Sequence, residues 1–300
     1  MRLAPDNQGK WQSTHTRSTF FLSFRQRART LCDPMSYLRA ISTLGCAEFT
    51  LPQIAALTRE YSLDTVELRG VAGLLDLPAH FSAAYGSPHN LVTEVRRLGL
   101  RIVSLDTSFK LADANEADRA TLLAYVPWAD ALGVRWLRVF DGGSPEDSMT
   151  QSRALETLMW WRRERRAHGW SCDLLLETHD ALFTAEAINR FTNAAGGTAI
   201  LWDSHHTWKR GGEDPVATWR AIQSQVVHIH VKDSVSRPSA KHPYTYVLPG
   251  EGEFPAGALF PTLRADNYAG VVSLEWERHW HPEIAPLADA LTSAAKYNWW

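Results

Sequence analysis

Residues 226–233, VVHIHVKD, place His228, His230 and Lys232 at alternate positions of a β-branched run. In a strand that spacing puts all three on one face and Val227, Ile229 and Val231 on the other. Three further apolar runs close the same way: LLLETHD with Glu177 and His179, ILWDSHH with Asp203 and then His206, and SLEWERHWH with Glu275 and Glu277. Carboxylate oxygens and a neutral imidazole are ligands suited to Mn²⁺, Mg²⁺, Co²⁺ or Zn²⁺, and an oxygen-rich set leaves positions open for substrate. Gathered without a cation, such carboxylates would repel one another and their pKa values would rise.

Eight short β-rich runs alternate with helical segments: 38–44, 64–70, 101–108, 134–140, 172–179, 198–205, 226–233 and 270–277. Helix starts are signalled by Thr50 ahead of Pro52, by Asp113 or Asn115, and by Asp214-Pro215. Eight strand–helix repeats in about 250 residues predict an α/β fold, a closed (β/α)₈ TIM barrel, over residues 35–300 as one domain. No GxGxxG follows the first strand, which removes the main support for a dinucleotide-binding open sheet. In such a barrel the active site lies at the carboxyl ends of the strands, where the ionisable residues fall.

Of the 300 residues, 45% are hydrophobic and 21% charged, the composition of an ordinary globular chain. A formal charge of −2 gives no global pull toward nucleic acid or anionic membrane, so no partner of either kind is expected. Cys32, Cys46 and Cys172 are odd in number and lack CxxC spacing, and with no secretory signal they place the chain in the cytoplasm. Residues 1–34 hold five Arg and one Lys against two Asp, without periodicity, and read as a disordered tail or an over-extended start ahead of Met35, an organellar leader being the alternative. The Arg-rich WWRRERRAHGW is explained as a solvated helix face. The 13 Trp have no functional explanation in sequence; they could serve a homo-oligomer interface, without fixing an oligomeric state.

In order and strand placement, LLLETHD, AILWDSHHTW, VVHIHVKD, LPGEGEF and GVVSLEWE resemble the xylose-isomerase-like barrels, a sugar phosphate isomerase/epimerase group that includes ketose 3-epimerases, hydroxypyruvate isomerase, inosose dehydratase and, more remotely, endonuclease IV. The resemblance runs from about Met35 to the C-terminus. It implies one divalent metal ion held by Glu177, Asp203, His230 and Glu275, His230 being preferred to His228 because it lies nearer the strand's carboxyl end. It implies a small-molecule carbohydrate substrate, with Glu177 and Glu275 as the acid/base pair of an isomerase or epimerase working through a metal-stabilised enediolate. His206, His179, Lys232, Glu67 and Arg138 are the expected substrate contacts, with Lys232 reaching into the substrate mouth and His228 supporting His230 from below.

Each residue also has a plain structural reading: salt bridges for the glutamates, a turn cap for Asp203, core packing for the histidines. Among rival activities, a lyase of the inosose dehydratase type differs only in losing a β-hydroxyl from the same intermediate. An endonuclease IV-like nuclease lacks further ligands after strands two, three and seven. A carboxylate-only glycoside hydrolase would leave Asp203 and His230 unexplained. A non-catalytic barrel that keeps its metal site is the remaining alternative.

Overall fold

The computed structural model describes residues 37–299, and all of them fall within one compact unit; the expectation for residues 1–34 lies outside the described residues. Eight parallel strands close into a barrel: β1 (Leu38–Ser42), β2 (Thr65–Leu68), β3 (Ile102–Lys110), β4 (Trp136–Phe140), β5 (Asp173–Glu177), β6 (Ala199–Asp203), β7 (Val226–Val231) and, last in the chain, β10 (Val271–Leu274). Closure comes from β1, which pairs with β2 on one side and β10 on the other. Every segment expected to be a strand overlaps one of these eight, β3 running two residues past the expected end.

Around the barrel run α1 (Leu51–Glu60), α2 (Leu77–Tyr85), α3 (Pro88–Leu98), α4 (Glu116–Leu132), α5 (Thr150–His168), α6 (Ala185–Ala194), α7 (Ser204–Lys209), α8 (Pro215–Ile222), α9 (Ala256–Ala265) and α10 (Leu287–Lys296). The start signals act as expected. Thr50 N–H donates to Gln53 Oε1 at 2.8 Å, Asn115 Oδ1 accepts from the Ala117 and Asp118 amides, and Asp214 Oδ1 accepts from Ala217 N–H. At the other ends Gly99, Gly133 and Gly169 take left-handed conformations that release the chain from α3, α4 and α5.

Two features depart from a plain strand–helix alternation. The run 226–233 leaves the barrel at Lys232, and Asp233 opens a small antiparallel hairpin, β8 (Asp233–Val235) with β9 (Thr245–Val247). Between β2 and β3, and again between β6 and β7, stand two α-helices rather than one.

Five of the tryptophans find their explanation in packing. Trp161, Trp202, Trp219, Trp276 and Trp299 are fully buried, and four satisfy their indole N–H inside the protein, on Asp173, Thr207, Asp266 and the Ala285 carbonyl. Burying a large apolar side chain contributes about 1.5–3 kcal/mol, and a matched N–H removes the cost of enclosing a donor. None of the described helices is long and apolar enough to cross a membrane.

Candidate metal and substrate site

Ligand atoms of Glu177, Asp203, His230 and Glu275 lie within 4.8 Å of one another, and all four side chains are buried. Barrel geometry produces this convergence: Glu177 ends β5, Asp203 ends β6, His230 is the fifth residue of β7, and Glu275 directly follows β10. Asp203 and His230 are register partners, and Glu275 N–H continues the ladder by donating to the Val231 carbonyl.

His230 is held from beneath. Its Nε2 lies 2.9 Å from Glu67 Oε1 and 3.0 Å from Oε2, and Ser273 Oγ donates to Oε1 at 2.9 Å. An Nε2–H donated to Glu67 turns Nδ1 toward the cluster, 3.3 Å from Glu275 Oε2 and 3.6 Å from Glu177 Oε1. Burial pushes the Glu67 carboxyl up, but His230 and His228 outweigh it and hold the group down at about 2. Burial likewise opposes charge on His230, yet Glu275, Glu67 and Glu177 together raise it well above the usual imidazole range. His228 lies one layer deeper, Nε2 at 3.4 Å from Glu67, and burial brings it down to about 4.

Asp203 caps a helix with one oxygen and keeps the other in the cluster. Its Oδ1 accepts from the His205 and His206 amides and so caps α7, while Oδ2 faces His206 Nδ1 at 3.1 Å and Lys232 Nζ at 2.8 Å. Lys232 departs from expectation. Rather than reaching into a substrate mouth it is fully buried, and its ammonium is shared by Asp203, Glu275 and, at 2.6 Å, Glu277. Tyr246 of β9 roofs it and donates to Glu277 at 2.8 Å. Glu67 departs in the same way: it lies under His230, with no exposed surface to offer a substrate.

A cavity of ≈ 330 Å³ is bordered by Glu177 and Glu275 and also by Arg69, Ser108, Lys110, Arg138, Phe140, His179, His206, Glu277 and Trp280. Three expected substrate contacts, His179, His206 and Arg138, therefore line it. His179 Nδ1 is 2.9 Å from Asp180, and its ring meets His206 edge-on. Burial, then Lys232, pushes His206 down to about 3. Arg138 lies over the Phe140 ring at 4.1 Å and bridges Glu177 at 3.2 Å and Asp106 at 3.8 Å. Burial, reinforced by Glu67, raises Asp106 to about 7. A larger cavity of ≈ 430 Å³ between α5 and α6 is bordered by none of the four clustered residues.

Sequence reading missed Arg69, Asp141 and the clamp at Asp233. Asp141 follows β4 and accepts the backbone N–H groups of Asp180, Ala181 and Leu182, fixing the loop that carries His179. Asp233 accepts those of Ser234, Gly250, Gly252 and Phe254. A Cβ on Gly252 would sit 2.1 Å from Asp233 Oδ1, so LPGEGEF needs glycine there for close approach. Arg69 carried a signal: it stands two residues after Glu67, on the same strand face and nearer the rim.

The cluster fits a divalent ion. Glu177 Oε2, Asp203 Oδ2 and His230 Nδ1 are buried and make no hydrogen bond; Arg138 and Lys232 face the two carboxylate oxygens as ion pairs, and the oxygens and the imidazole nitrogen converge closely enough to meet one shared ion. The donor chemistry, three carboxylates and one imidazole, suits Mn²⁺, Co²⁺, Zn²⁺ or Mg²⁺.

No curated protein is significantly similar to the chain. Among solved structures, the probable 3-DHS dehydratase AsbF of Bacillus anthracis superposes with a TM-score of 0.69 at 16% identity, covering 87% of this chain and 99% of that one. The IolI protein with a bound zinc atom gives 0.67 at 16% identity, covering 87% and 96%. A D-tagatose 3-epimerase-like protein gives 0.63 at 17%, covering 87% and 96%. At these identities the likeness is one of fold. Residues 55–297, most of the chain, match the family description itself, and the chain belongs to the xylose isomerase-like TIM barrel family.

Proposed function

We propose that the protein is a divalent-metal-dependent isomerase or epimerase of a small hydroxy-carbonyl compound of the sugar type. The observation that carries this reading is the convergence of Glu177, Asp203, His230 and Glu275 beside a cavity that Glu177 and Glu275 border, with His230 oriented by Glu67. These four residues would hold the ion, which when bound supplies Lewis acidity toward a substrate carbonyl.

The protein's own groups account for the proton transfers. Glu177 and Glu275 border the cavity from strands β5 and β10, on different sides of the barrel mouth. One, as the carboxylate, removes the proton α to the carbonyl; the other, carrying a proton drawn from solvent, delivers it to the neighbouring carbon in an isomerisation, where the hydroxyl proton also passes to the former carbonyl oxygen, or to the opposite face in an epimerisation. Burial raises Glu177, but Arg138 outweighs it and holds the carboxylate in its basic form.

Elimination is the second reading, and His179 favours it. Its Nδ1 is engaged by Asp180, leaving Nε2 for a departing hydroxyl on the cavity wall, as a dehydratase requires.

The test is bound metal, by elemental analysis after exposure to Mn²⁺, followed by product analysis of a ketose, inosose and hydroxypyruvate panel in D₂O. One ion per chain, loss of it in Glu177→Gln and His230→Ala, and deuterium at the α-carbon of an isomer with conserved mass support the proposal. A product lighter by water moves it to the lyase, and absence of metal in the parent overturns it.

A further inference from the structure

The cations of this site are matched to carboxylates with one exception. Arg138 has Glu177 and Asp106, Lys110 has Asp180 at 2.9 Å, and Lys232 has Asp203, Glu275 and Glu277. Arg69 is 4% exposed, yet among the described residues its guanidinium makes no ion pair, and its single hydrogen bond runs from Nη2 to Ser108 Oγ at 2.7 Å. Nη1 is buried with no partner. Enclosing an uncompensated guanidinium is unfavourable, and here burial followed by the neighbouring Arg138 lowers its pKa to about 10.

The position is not accidental packing. Thr43 Oγ1 accepts from the Arg69 amide at 2.8 Å and from Gly70 at 3.1 Å, which fixes the backbone where β2 ends. The side chain then borders the cavity together with Ser108 and Lys110 of β3, on the same rim as Glu177 and Glu275. A planar fork with free donors, beside a hydroxyl and a second cation, is suited to two oxygens of one anionic group.

We propose that Arg69, assisted by Ser108 and Lys110, anchors a carboxylate or phosphate group of the substrate, so that the enzyme acts on an anionic hydroxy-carbonyl compound rather than a neutral sugar. This rests on the proposed function for the placement of the reacting end. It makes Arg69 a specificity-determining residue: the anion fixes one end of the substrate while the carbonyl end meets Glu177 and Glu275.

Two matched pairs test it: hydroxypyruvate against hydroxyacetone, and dihydroxyacetone phosphate against dihydroxyacetone. Each is titrated calorimetrically into the full chain, with Mn²⁺ and with a chelator, using the parent, Arg69→Met and Arg69→Lys. The expected result is binding of one anionic member at least about tenfold tighter than its neutral partner, loss of that preference in Arg69→Met, and partial retention in Arg69→Lys. The carboxylate and phosphate pairs separate the two anion sources. Equal binding of both members by the parent, or a preference undiminished in Arg69→Met, overturns the anchor. Equal binding of both members that Mn²⁺ strengthens would leave the metal reading standing while the anchor fails. An Arg69-dependent preference between members whose affinities Mn²⁺ does not change would keep the anchor and remove the metal reading.

Discussion

The Lys232 ammonium lies 2.8 Å from Asp203 Oδ2, inside the group of carboxylates that would hold a metal ion. It is an internal counter-ion, and it accounts for how so many acidic groups share one buried space. Replacing it by methionine leaves Asp203, Glu275 and Glu277 without their shared cation. Breaking a buried pair from one side costs about 3–5 kcal/mol, so Lys232→Met should unfold at markedly lower temperature in chelator, and Mn²⁺ should restore much of the loss. Thermal unfolding with and without metal decides this; an unchanged midpoint in chelator would show that the lysine does not hold the acids together.

Glu67 should matter through His230. Glu67→Gln keeps an oxygen for the Nε2 proton but loses the charge, and removal of such a partner lowers metal affinity by about 10–100-fold. Glu67→Ala, with no acceptor at all, should be the more severe. Mn²⁺ titrations of the three proteins provide the comparison, and identical affinities would remove Glu67 from any positioning role.

Without metal, His230 is held protonated by Glu275, Glu67 and Glu177 against the effect of burial. A divalent ion taking Nδ1 must displace that proton, so metal affinity should fall as pH falls, by about tenfold per pH unit for one displaced proton. Calorimetry in buffers of different ionisation enthalpy, from pH 6 to 8, should report release of about one proton per ion. Uptake independent of buffer and pH would contradict the arrangement.

Glu67 sets an acid limit of its own. Its folded pKa, about 2, lies below the ordinary 4.5, so it contributes stability that is fully present above 4.5 and is lost as pH falls through about 2. Urea denaturation from pH 5 to 2 should show the parent losing this increment and Glu67→Gln losing less. Parallel curves would count against it.

Asn115→Ala serves as a remote control. It removes the α4 cap and should cost about 1 kcal/mol in denaturant unfolding while metal binding stays at the parental value.

The barrel was legible because alternation, run length and cap residues agree: each β-branched run is short enough to be a strand, and Thr50, Asn115 and Asp214 each start a helix. The four clustered residues were legible because they close apolar strands, and strand ends meet in a barrel. Pairings across the barrel were not. Nothing local distinguishes a lysine that opens into a cavity from one enclosed by three acids drawn from β6 and from the segment after β10, and Lys232 was misplaced for that reason. Glu67 was assigned to the substrate because its depth depends on the register of β2 against its neighbours. Arg69 could have been found by continuing the alternation from Glu67 by one step.

The Asp233 carboxylate gathers four backbone amides from both sides of the hairpin's base. Both feet of the segment 234–252 are thus tied to the residue next to Lys232, and its tip, Ser236 to His242, hangs outside that knot. A change in the tip's length or side chains would leave this tie, and the acids beneath it, in place. The fold thereby uncouples the outer turn of the hairpin from the acidic cluster below it.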